Sequence, residues 1–122
     1  MIKPDSFQVF YTDDLQKTYE FWQQLEVDLG ELEADKFVVS FAGLELHYVL
    51  ASTEPFADYE FAAKAEGRGQ GVLSYFEVED IARFHQQLSE LNLSKITEIR
   101  DNAWDGREFL FSDPNGFLFV AY

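Results

Sequence analysis

Apolar positions along this chain change their spacing in a fixed order, and that order is run through twice. Phe7 to Thr12 is a short apolar-rich run that predicts a strand, and beyond Asp13-Asp14 the residues Leu15, Tyr19, Trp22 and Leu25 recur at helical spacing. Asp13, with Gln16 three residues on, fits a capping box, and acids there suit the positive end of the helix dipole. After Leu25 the period falls to two through Val27, Leu29 and Glu31. Strand-like runs follow at Lys36 to Phe41 and Leu44 to Leu50, joined tightly by Ala42-Gly43. The first half therefore predicts β-α-β-β-β.

Residues 51–70 interrupt the pattern: Pro55, Gly67 and Gly69 bracket the stretch Ala57 to Glu66, which predicts a linker carrying a helical turn or two. Gly67-Arg68-Gly69-Gln70-Gly71 precedes a strand rather than opening a helix, so it reads as a hinge and not as a phosphate loop. Then the first order returns. Val72 to Val78 predicts a strand, Glu79-Asp80 a cap, and Ile81, Phe84, Leu88 and Leu91 the stripe of a second helix. Ile96 to Ile99, Arg107 to Ser112 and Phe117 to Tyr122 complete a second β-α-β-β-β. The last two runs are joined by Asp113-Pro114-Asn115-Gly116: Asp can bond the backbone two residues on, Pro fixes φ, and Gly accepts a positive φ.

Asp14-Leu15 answers to Asp80-Ile81, and Gly43 to Gly116, which sets the register of the repeat. Each half presents a sheet with one face too apolar to stay wet, so the two are expected to pair. The expectation is a single domain over 1–122, with modules at roughly 5–50 and 71–122 and a linker over 51–70.

At 122 residues the chain can bury roughly two thirds of its unfolded surface. Thirteen Phe, six Tyr and two Trp supply more ring area than such a core needs, so the rings form either an aromatic core or the lining of a cavity. Without Cys there is neither a disulfide framework nor a thiol nucleophile, and Met1 to Ser6 shows no apolar export segment. A cytoplasmic, reducing setting is expected. No apolar run approaches the roughly 20 residues of a membrane span. Nine basic against twenty-three acidic residues give a net charge of −14, which argues against nucleic-acid and anionic-membrane partners. The same field favours a cationic ligand, although acidity also serves solubility alone.

Three motifs in order resemble a known family: Phe10-Tyr11-Thr12-Asp13-Asp14-Leu15 running into Tyr19-Glu20-Phe21-Trp22; Phe76-Glu77-Val78-Glu79-Asp80-Ile81; and Trp104-Asp105-Gly106-Arg107-Glu108-Phe109 ahead of Asp113-Pro114-Asn115-Gly116. Together they resemble the vicinal oxygen chelate superfamily, in its glyoxalase/bleomycin-resistance protein/dioxygenase branch, over nearly all the chain except the linker. The resemblance implies an α+β fold of two paired βαβββ modules forming half-open barrels around a cavity, often completed across a homodimer. That superfamily includes metal-dependent lyases, ring-cleaving dioxygenases, fosfomycin-modifying transferases and bleomycin-sequestering proteins that perform no reaction.

Enzymes of the superfamily hold a divalent metal with His and Glu or Gln from the first and last strand of each module. Carried onto this sequence, the first-strand positions fall on Phe7 and Leu73 and the last-strand positions on His47 and Val120. Phe, Leu and Val offer no lone pairs. One imidazole, even with Glu45 on the same strand face, falls short of the about three protein ligands that a catalytic metal needs. No metal, no other cofactor and no catalytic residue is therefore expected.

The reading that follows is a homodimeric, metal-free small-molecule-binding protein whose aromatic, acidic cavity lies near Phe7, Glu45, His47, Leu73, Tyr75, Trp104 and Val120 and sequesters a cationic or aromatic compound. The alternative is a lyase, dioxygenase or transferase of the same superfamily with a displaced metal site, or with acid-base chemistry through His47. His47 is either an imidazole satisfied by a neighbour such as Glu45 or a ligand contact. His85, beside the apolar stripe, is expected at the surface or its boundary. Trp104 lies in a polar loop between Asp101 and Asp105, as either a ligand-stacking ring or an anchor packed on the core.

Overall fold

The first half builds one sheet and one helix from the predicted runs. In the computed structural model, which describes residues 1–104 and 106–122, β1 (Gln8–Thr12) leads into α1 (Leu15–Gln23), followed by β2 (Asp28–Leu29), β3 (Lys36–Phe41) and β4 (Leu44–Leu50). The sheet runs β1-β4-β3-β2, with β1 parallel to β4 and the remaining pairs antiparallel. Ala42 and Gly43 both take positive φ, 48° and 79°, so the two-residue turn twists with the strands it joins. Alternation along β3 and β4 sends Phe37, Val39, Leu46 and Tyr48 to a face where each is fully buried. Trp22, 1% exposed, packs from α1 against Phe41 and Tyr48.

The helix cap differs from expectation. Asp14, not Asp13, accepts the backbone N–H of Lys17, while Gln16 donates to Glu20 within the helix, so there is no capping box with Asp13. Asp13 instead meets the guanidinium of Arg68 at 3.1 and 3.2 Å. The cap position goes to whichever acid keeps extended backbone before the first turn, and Asp14 does so with φ −142° and ψ 91°. Thr18, a polar residue on the buried stripe, is satisfied by Thr12 and by the Asp14 carbonyl.

The predicted linker contains two short 3₁₀ turns, Ala51–Thr53 and Ala57–Tyr59, and a single helical turn, α2 (Glu60–Ala63). By contacts it belongs with the first half: the chain divides into two compact units, Met1–Arg68 and Gly69–Tyr122. Arg68 closes the first, donating to Asp13 and to the Ala63 carbonyl from a side chain only 4% exposed.

The second unit repeats the order with β5 (Ser74–Phe76), α3 (Ile81–Ser89), β6 (Arg100–Asp101), β7 (Arg107–Ser112) and β8 (Leu118–Ala121), arranged β5-β8-β7-β6. Asp80 caps α3 through the N–H of Arg83, as Asp14 caps α1. Phe109, Phe111 and Phe119 are fully buried, and Phe76 and Phe84 pack on them edge-on or tilted. In the turn, Asp113 accepts the N–H groups of Asn115 and Phe117, and Gly116 sits at φ 94°. The strand expected over Ile96–Ile99 is instead a single bridge from Ile96 to Phe111, with Thr97 and Ser112 each bonded across, and regular pairing starts only at Arg100. His85 explains part of that: its Nε2 is occupied by the Thr97 carbonyl, which ties the segment to α3 rather than to a regular ladder. Each unit is thus an α+β βαβββ module. Among the described residues no helix is long and apolar enough to cross a membrane.

Candidate functional site

The predicted site residues fall into two clusters, one in each unit. In the first, β1 and β4 place Val9 opposite His47, and β3 places Val38 on the other side of it, so the imidazole stands in a row on the sheet face turned away from α1. Phe7, just before β1, lies flat against it, ring centroids 3.7 Å apart and planes 10° from parallel. Glu45 meets His47 Nε2 at 2.7 Å. With the carboxylate accepting from Nε2–H, the lone pair lies on Nδ1, where it can accept a proton or a hydrogen bond. The His47 side chain is 19% exposed and Glu45 48%, so this pair sits at the water boundary and its mutual attraction is modest. Of the two accounts open for His47, satisfaction by Glu45 is the geometry seen, and it leaves Nδ1 for a ligand.

In the second unit, Tyr75 on β5 is flanked by Trp104, at 6.1 Å and 70°, and by Tyr122, at 6.2 Å and 52°. Its hydroxyl makes a long 3.4 Å contact to Glu108. Burial of the ring, then the charge of Glu108, push the Tyr75 hydroxyl above the ordinary tyrosine range, with Arg100 acting against them. Trp104 is 72% exposed, which makes it a presented ring rather than a core anchor. The loop that carries it is stapled by Asn102, whose Oδ1 accepts the N–H groups of both Trp104 and Gly106 at 2.9 Å. Asp105, one of the acids flanking Trp104 in the sequence, lies outside the described residues. Leu73 is half-exposed just before β5, whereas Val120, paired with Tyr75, is buried and offers no surface to a ligand.

Sequence reasoning missed Asn102, Glu108 and Tyr122. The spacing Asn102-x-Trp104-x-Gly106 is an Asx-type loop signal, and period two from Val120 leads to Tyr122 on the same face.

The metal of the superfamily does not fit these residues. Phe7, Leu73 and Val120 bring no donor atom, and His47 Nε2 is engaged by Glu45. Among the described residues, no three His, Cys, Asp or Glu side chains come together to hold an ion. Each cluster combines rings with a carboxylate, so stacking, charge and hydrogen bonding are the chemistry on offer.

Comparison with known proteins agrees on the fold. The family profile described as "Glyoxalase/Bleomycin resistance protein/Dioxygenase superfamily" matches residues 5–121. A fosfomycin resistance protein from Listeria monocytogenes, solved with Mn(II) and sulfate, superposes with a TM-score of 0.75 at 17% identity, covering 100% of this chain and 90% of that one. A bleomycin-binding protein complexed with bleomycin gives 0.65 at 16% identity, covering 96% and 95%. Lactoylglutathione lyase from Agrobacterium tumefaciens gives 0.66 at 14%, covering 95% and 90%. No protein with a curated description matches by sequence. At such identities the likeness concerns the fold, which binding proteins and enzymes share.

Proposed function

Because the chain belongs to the glyoxalase/bleomycin resistance protein/dioxygenase superfamily, we propose that it acts as a metal-free small-molecule-binding protein that sequesters a cationic or aromatic compound. The observation that carries this reading is the chemistry of the metal-ligand positions, where Phe7, Leu73 and Val120 replace donors and Phe7 covers the one imidazole left. A position that would bind metal has become a position that stacks. The exposed rings of both clusters and the net charge of −14 favour ligands that are flat, positively charged or both. That a structural relative binds bleomycin supports the same direction. Calorimetric titration with bleomycin-like and other planar cationic compounds tests it: measurable heat at high micromolar concentration is expected, and none for any of them would overturn it.

A second reading is favoured by one observation, the 2.7 Å contact between Glu45 and His47, which is the geometry of a carboxylate-oriented base. It makes the protein a lyase, dioxygenase or transferase of the same superfamily, working without metal or with a metal held elsewhere. Elemental analysis of protein purified without chelator tests its metal-bound form, since a stoichiometric divalent metal belongs only to this second reading.

We further propose a cytoplasmic homodimer. β1, an edge strand of its sheet, carries the exposed Val9, with Phe7 exposed just before it, and a two-fold partner would cover such an edge. Sedimentation at micromolar concentration should give a dimer, and a monomer alone would sink the assignment.

A further inference from the structure

We propose that Tyr75, Trp104 and Tyr122, with Glu108 at their rim, form a cage for a methylated ammonium group. This rests on the small-molecule-binding reading above and names the part of the ligand that the second unit recognises. The three rings stay in water to an unusual degree, 38%, 72% and 46% exposed, on main chain that is itself held in place. Tyr75 is fixed by the pairing of β5 with β8. Tyr122 continues that pairing, donating to the Phe76 carbonyl and accepting from the Val78 N–H. The main chain at Trp104 is held by the Asn102 staple. Main chain already ordered in the free protein loses little freedom when a ligand arrives.

The angles select the ligand's shape. Trp104 and Tyr122 are inclined to Tyr75 by 70° and 52°, so Tyr75 has no parallel partner to make a slot for a flat ring. Inclined walls suit a rounded group instead. The charge selects its sign: Glu108 makes no ion pair among the described residues, its contact there being the long one to Tyr75. Arg100, opposite Glu108 across β6 and β7, is the protein cation best placed to compete, and it too makes no ion pair among the described residues. A primary ammonium or guanidinium would sit on the carboxylate and leave the rings idle. A methylated ammonium is weakly hydrated, spreads its charge over its methyl groups and gains most from ring faces.

Calorimetry with choline and with its uncharged isostere 3,3-dimethylbutan-1-ol tests the cage. Choline should bind at least about tenfold more tightly, because the two share shape and differ in charge. Tyr75→Ala and Trp104→Ala should each weaken choline by about fivefold or more, and Glu108→Gln by about threefold. Tyr75→Phe, which keeps the ring, and Phe7→Ala, in the other cluster, should leave it unchanged. Circular dichroism checks the fold of each variant, and the isosteric Glu108→Gln change, at a half-buried side chain, decides the matter if a ring truncation unfolds the protein. Equal binding of choline and its isostere, or choline binding that survives these substitutions, overturns the cage while leaving the sequestration reading to its own titration. If neither choline nor any planar cation binds, both fall.

Discussion

The ring of Phe7 lies flat on the imidazole of His47 at a centroid distance of 3.7 Å, and Glu45 holds the same imidazole at its Nε2 edge. Two of the positions onto which the resemblance carries the superfamily's metal ligands are therefore in contact with each other here, one of them as an apolar cover. The contact makes a stacked pair with a hydrogen-bonding edge.

Truncating Phe7 to Ala should cost little stability, since the ring is 55% exposed and a pair of this kind contributes about 0.5 to 1.5 kcal/mol. Urea denaturation should show a small midpoint shift with an unchanged slope. A loss above about 3 kcal/mol would make Phe7 a core residue.

The two tryptophans should behave oppositely. Trp104 is 72% exposed and Trp22 1%, so Trp104→Ala should leave stability within about 1 kcal/mol of wild type while Trp22→Ala loses about 3 to 5 kcal/mol. Ligand affinity should fall by about 1 to 3 kcal/mol in Trp104→Ala. Thermal melts of both variants check the first claim, and a large drop for Trp104→Ala would move the site to the strand residues around His47.

Alkaline stability should depend on Tyr11. Burial, then its 2.5 Å hydrogen bond to Glu54, raise its hydroxyl from the ordinary value of 10.0 to about 12. Below pH 10 the hydroxyl is protonated in folded and unfolded chains alike, and its contribution is intact. Between pH 10 and about 12 the unfolded chain gives up the proton while the folded chain keeps it, so stability falls as pH rises, by roughly 2 kcal/mol in all. The ring is buried but its hydroxyl and Glu54 lie near the water boundary, so screening makes this an upper bound. Tyr11→Phe should cost about 1 kcal/mol at neutral pH and flatten that alkaline loss. Denaturation measured from pH 8 to 12 reads it, and an unchanged alkaline slope in the variant would refute it.

Gly69 and Gly43 have nearly the same backbone, φ 78° and 79°, but different surroundings. A Cβ on Gly69 would lie 2.7 Å from the Gly116 carbonyl oxygen and 2.8 Å from Phe117 Cα, whereas one on Gly43 meets nothing within 4 Å. Gly43→Ala should cost about 1 to 2 kcal/mol for the left-handed backbone alone, and Gly69→Ala that much plus about 1 to 3 for a clash with main chain that cannot swing aside. Equal losses in chemical denaturation would show that the contact with the Asp113–Gly116 turn yields.

What the sequence determined by itself is the repeat: β3, β4 and β7 fall where period two puts them, and both helices begin at the capping acid that marks the register, Asp14 and Asp80. Those features are local, written in spacing and in turn residues such as Ala42-Gly43 and Asp113-Pro114-Asn115-Gly116. That Phe7, Leu73 and Val120 offer no lone pairs is likewise a property of the sequence, in any fold. Only the tertiary structure decided the partners. It drew Asp13 away from a capping box to Arg68, tied Thr97 to His85 so that no regular strand forms at Ile96–Ile99, buried Val120 beside an exposed Tyr75, and set Glu108 and Tyr122 around that same ring. Contacts between residues far apart in the chain depend on where two elements cross, and periodicity within one element carries no record of that crossing.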